Sequence, residues 1–107
     1  MSGIADCTVI DVIAQDHDGN ARLAMVEDRP WGADADQELQ LREKINTYAS
    51  YVFDGSLTEN YPELSGRHVI FELVCPEPPS GNYAGIIAHG AERLAAYGIE
   101  FLVTIQN

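Results

Sequence analysis

Asp16, Asp18, Asn20 and Glu27 occupy the first, third, fifth and twelfth positions of a calcium-binding loop, and Leu23 fills its apolar eighth. Such a loop wraps a hard cation in oxygen ligands, and it needs a glycine at the sixth position and helices on both sides. Here Ala21 takes the sixth position, β-branched residues precede Asp16, and Pro30 stops a helix from following Glu27. The same letters spell an acidic hairpin turn, so no metal is expected.

His68, Glu72 and Asp11 are the other residues with acid/base or ligand character on strand-like segments. Four residues along a strand span about 13 Å, so His68 and Glu72 do not act directly together, and only cross-strand pairing brings Asp11 near either. The segment Pro79-Ser80-Gly81-Asn82-Tyr83-Ala84-Gly85 joins a strand to a helix but lacks the lysine of a P-loop and the G-x-G-x-x-G spacing, so it reads as a capping loop. His17 and His89 have no partner at ligand spacing. No G-x-S-x-G, H-E-x-x-H or paired nucleophile and base is present. The expectation is a protein without a cofactor and without a catalytic residue.

These residues are positioned by elements that the periodicity predicts. Thr8 to Asp28 reads as a hairpin turning at Asp16–Asn20, and Arg29-Pro30-Trp31-Gly32 stops its second strand. Asp34 opens a helix with Gln37 at capping-box spacing. Leu41, Ile45, Tyr48, Ala49 and Val52 form its apolar stripe, and Asp54-Gly55 ends it. Ser56 to Gly66 reads as an ordered loop, and Arg67 to Cys75 as a strand. A second helix runs from Ser80 or Asn82 to about Tyr97, and Ile99 to Ile105 is a last strand. Gly85 and Gly90 each cost that helix about 1 kcal/mol relative to alanine, so it depends on packing. The prediction is an α+β two-layer sandwich of order ββαβαβ: one domain over 1–107, with a four-stranded mixed sheet and two helices on one face.

In that architecture Val69, Phe71, Leu73 and Cys75 face the helices. Asp11, Ile13, His68, Ile70, Glu72 and Leu102 are then expected on the open face. A face that is half apolar suggests a partner or self-association surface.

The charge balance narrows the partner. Seventeen Asp and Glu stand against six Lys and Arg, for a formal charge of -11 over 107 residues. That field repels phosphate backbones and anionic lipid, and it attracts a basic protein. Neither nucleic acid nor a membrane is expected as a partner. With 46% hydrophobic and 21% charged residues the chain is expected to fold. Cys7 and Cys75 make no C-x-x-C pair, Met1 to Cys7 has no leader pattern, and no apolar run spans a bilayer, so a reducing cytoplasmic setting is expected.

The run Leu41-Arg42-Glu43-Lys44-Ile45-Asn46-Thr47-Tyr48 continues through Phe53-Asp54-Gly55 and Tyr61-Pro62 to Gly66-Arg67-His68-Val69-Ile70. Together with Val9-Ile10-Asp11 and Trp31, it resembles a family of small bacterial proteins classed as a domain of unknown function. The glycines and alanines of the second helix depart from that pattern. The resemblance implies one compact bacterial domain and no particular chemistry. By residue type, Asn46, Tyr48, Tyr61 and Arg67 are candidate binding residues if they converge on a pocket. Trp31 joins them as either a plug at the core edge or a recognition anchor. The leading expectation is a non-catalytic interaction module, of immunity or antitoxin type, that meets a basic partner or a second copy as a homodimer. The alternative is a small-molecule site or minor enzyme near the first helix and the loop before the third strand.

Overall fold

The computed structural model describes residues 3–106, so the ends of the expected 1–107 domain, including Met1 and Ser2 of the segment read for a leader, lie outside the described residues. Strands β1 (Val12–Gln15) and β2 (Ala21–Val26) are followed by helices α1 (Gln37–Phe53) and α2 (Ser56–Asn60) and a 3-10 turn at Pro62–Leu64. Strand β3 (Val69–Cys75), helix α3 (Gly81–Ala95) and strand β4 (Glu100–Ile105) complete the chain. The class is α+β, with a four-stranded mixed sheet and three helices.

The sheet order is β1-β2-β3-β4. β1 pairs with β2 antiparallel, whereas β2 with β3 and β3 with β4 are parallel. A parallel neighbour requires a crossover, and α1 and α3 supply the two that this order demands. The hairpin closes where the sequence places it. Asp16 N–H donates to Asn20 O at 3.0 Å, Gly19 takes φ +84° at the bend, and the Asp16 carboxylate accepts the amides of Asp18 and Asn20 at 3.0 and 2.9 Å.

Alternation along β2 and β3 turns Leu23, Met25, Phe71 and Leu73 into one core, where each is fully buried. Leu41, Ile45 and Tyr48 of α1 and Ile87 and Leu94 of α3 join the same cluster. Ile4 from the N-terminal segment and Leu57 and Leu64 from the segment after α1 close it. Burying a side chain of this size stabilises by about 1.5–3 kcal/mol, which makes this cluster the main stabilising feature of the fold.

Several expectations are corrected by this packing. The stretch 56–66 is not a loop: α2 and the 3-10 turn form there, because Leu57 and Leu64 each reach the core. There are accordingly three helices among the described residues, not two. The first helix begins at Gln37 rather than Asp34, and β1 begins at Val12 rather than Thr8. The facing of β1 is opposite to that expected: Ile13 pairs with Leu23 and packs against the core, whereas Val12 pairs with Ala24 and is exposed.

Candidate functional site

Lys44 lies in the apolar stripe of α1, three residues after Leu41 and four before Tyr48, and is completely buried. Its Nζ donates to the carbonyls of Asp6 and Val9, both at 2.7 Å, and to Asp11 Oδ1 at 2.8 Å, which uses all three ammonium hydrogens. The Asp11 carboxylate in turn accepts the amides of Gly3 and Val26, both at 3.0 Å. Tyr48 Oη accepts the Asp11 amide at 2.9 Å and donates to Ala24 O. Burial pushes the Tyr48 phenol well above its ordinary value, so it stays neutral and can donate. This cluster clamps segment 3–11 onto α1. Asp11 is therefore structural rather than part of the open face, and Tyr48 is a core residue rather than a binding one.

A second buried polar cluster sits where β2 meets the start of α1. Glu27 receives Arg29 through two bonds of 2.8 Å, from Nε to Oε1 and from Nη2 to Oε2, and Gln37 Nε2 donates to Glu27 Oε2 at 2.8 Å. Gln37 Oε1 accepts the Gly32 amide at 2.7 Å. Gln37 thus braces the Arg29–Gly32 bend instead of closing a capping box, and Glu27 is committed to Arg29 instead of a cation. Among the described residues no group of three or more His, Cys, Asp or Glu is arranged to hold a metal. Beside this cluster, Trp31 donates through its indole Nε1 to Glu77 O at 2.9 Å and through its amide to Glu77 Oε1 at 3.0 Å, and its ring lies 4.9 Å from that of Tyr83. It pins the β3–α3 connection to the end of β2.

The side of the sheet turned away from the core cluster carries Val12, Ala14, Arg22, Ala24, Val26, His68, Ile70, Glu72, Val74, Glu100, Leu102 and Thr104 by register. Four of the six residues expected there, His68, Ile70, Glu72 and Leu102, are on it. Ile70 is nonetheless only 4% exposed, because it pairs between Arg22 and Glu100 and their long side chains flank it. Arg22 reaches Glu72 at 3.3 Å and Asp16 at 3.4 Å, and Thr104 donates to Glu72. His68 meets Glu100 at 3.4 Å, so the structure does not bring His68, Glu72 and Asp11 together.

The remaining candidates do not converge. Tyr61 immediately precedes the 3-10 turn, and the Arg67 guanidinium lies by the hairpin bend near Gly19. Asn46 lies apart from both, on the surface of α1. It faces a cleft of about 670 Å3 between α1 and α3, shared with Glu38, Arg42, Asn82, His89 and Arg93. A shallower hollow of about 590 Å3 on its other side is edged by Glu43 and Asp54. Sequence reasoning missed Lys44, Gln37 and the cleft arginines. A charged residue inside an apolar stripe was the available signal for Lys44, and the 38-42-46 and 82-86-89-93 ladders were the signal for the cleft.

No curated protein and no solved structure matches the chain. The model of DUF6572, described as a family of unknown function, matches residues 1–107, and the chain belongs to that family.

Proposed function

We propose that this protein is a non-catalytic interaction module whose open sheet face docks a basic protein partner in a reducing cytoplasm. The observation that carries this reading is the composition of that face: Val12, Ala24, Val26 and Val74 on one side and Leu102 on the other flank a polar diagonal of Arg22, Glu72 and Thr104. A face that only met water would be polar at these alternate positions. Four strands of about six residues make a face of about 20 by 20 Å, or roughly 400 Å2. A standard interface covers about 800 Å2 per partner, so the contact extends onto its rims, which include the acidic turn 16–20. Charge selects the occupant. A second copy also carries -11, whereas a basic protein is attracted and oriented. Cys7 and Cys75 are free thiols, which suits a reducing compartment.

The test is affinity capture from the host with wild-type protein and with a Val12→Glu/Leu102→Glu variant whose fold is checked by circular dichroism. The expected result is one basic protein that is retained by the wild type, released by salt and lost with the variant. Equal capture by both proteins overturns the reading. So does a homodimer in light scattering that the same substitutions dissolve.

A further inference from the structure

The six cationic side chains divide into two groups. Arg22, Arg29 and Lys44 are each held by a carboxylate, at 3.3, 2.8 and 2.8 Å from Glu72, Glu27 and Asp11. Arg42, Arg67 and Arg93 make no ion pair among the described residues, despite seventeen acidic residues in the chain. Two of these three face the same cleft, Arg42 from α1 and Arg93 from α3. Glu38 is the single carboxylate lining it. At i,i+4 from Arg42 on a helix it is placed for an ion pair, yet no such pair forms. Asn46, Asn82 and His89 add uncommitted hydrogen-bonding groups along the same walls.

Gly85 of α3 lines this cleft. Gly85 lies inside the helix, and a Cβ there would meet nothing within 4 Å. Packing within the protein therefore gives no reason for glycine at a position where it weakens the helix. Gly90 differs, since its Cβ would contact Ile45 at 3.6 Å. At about 670 Å3 the cleft falls within the size range of small-molecule sites.

We propose that the α1–α3 cleft binds a small organic anion, held at its carboxylate or phosphate group by Arg42 and Arg93 and oriented by Asn46, Asn82 and His89. Guanidinium groups grip such oxygens through two parallel bonds, which gives geometric selection as well as charge. The global negative charge opposes approach at long range. At physiological salt, charges more than about 8 Å apart are largely screened, so the local pair of arginines governs the bound state. This site is separate from the sheet face and stands or falls independently of the protein-docking reading.

The experiment is a titration of 15N-labelled full chain, followed by amide shifts, with inorganic phosphate, succinate and, as an uncharged probe, glucose. Saturable shifts confined to 38–46 and 81–93 are expected with an anion and not with glucose. A response to phosphate alone, or to succinate alone, supports the site and identifies its headgroup. Arg42→Gln and Arg93→Gln each weaken binding about tenfold, equivalent to ~1.4 kcal/mol. Arg67→Gln, which changes net charge equally outside the cleft, leaves binding unchanged. Both cleft arginines are exposed and unbonded, so their removal leaves the fold intact. The proposal is overturned if neither anion shifts these amides, if glucose does so equally, or if Arg67→Gln weakens binding as much as the cleft variants.

Discussion

Glu27 shows how a buried carboxylate becomes part of the stability of the protein. Burial is the largest single influence on it and raises its pKa, but hydrogen bonds from Arg29 and Gln37 together outweigh burial and hold it below its ordinary value of 4.5. A group whose pKa is depressed on folding contributes stability that is fully present above its unfolded pKa and is lost as pH falls through the folded one. Unfolding free energy measured by urea titration should therefore decline from about pH 5 downward. In Glu27→Gln that decline is shallower, because one of the linked protonations is removed. Asp16 and Asp54, also held low by hydrogen bonds from Asn20 and Ser56 respectively, sustain the remainder. An acid profile of the variant parallel to that of the parent would contradict this role.

Among the elements, the two long helices owe their stability to different features. α1 has an apolar stripe legible at once in Leu41, Ile45 and Tyr48, and its one charged intruder, Lys44, is fully hydrogen-bonded. Breaking such a buried pair costs about 3–5 kcal/mol, which is why the stripe tolerates a lysine only with its partners in place. α3 carries Gly85 without a packing reason, so Gly85→Ala should stabilise the protein by about 0.8 kcal/mol and raise Tm by about 4 °C in a thermal scan. The same change at Gly98 should lower Tm. Gly98 sits at φ +76°, where the chain leaves the helix and Ile99 N–H donates back to Leu94 O at 3.1 Å. A fall in Tm for Gly85→Ala would show that the helix needs glycine there for its own packing. α2 was not legible from sequence, since five residues are too few to display a helical period and its formation depends on Leu57 reaching a core assembled by distant segments.

For the molecule as a whole, the excess of seventeen acidic over six basic residues sets a self-repulsion that folding must concentrate. Added salt shortens the Debye length from about 30 Å at 0.01 M to about 10 Å at 0.1 M, so repulsion between separated surface carboxylates fades first. The Lys44–Asp11 pair, with side chains 0% and 3% exposed, is little affected. Thermal stability should accordingly increase as sodium chloride is raised from 0.01 to about 0.1 M. A decrease would mean that partly exposed ion pairs such as Arg22–Asp16 outweigh the net repulsion.

Local periodicity and turn chemistry determined, before any coordinates, that this chain has an acidic hairpin, a long amphipathic helix, a glycine-containing second one and a mixed sheet. They also read the calcium-like spacing at Asp16–Glu27 as a hairpin turn, and the turn bonds within Asp16–Asn20 are those of a hairpin. Each of these rests on neighbours within a few residues. Tertiary structure alone decided that the Asp11 carboxylate is buried against Lys44, that Ile13 rather than Val12 faces the core, and that Arg42 and Arg93 share a cleft while Tyr61 and Arg67 stand elsewhere. The facing of a four-residue strand reverses with a shift of one position, and a polar side chain is buried or exposed according to partners tens of residues away. Neither quantity is written in local spacing.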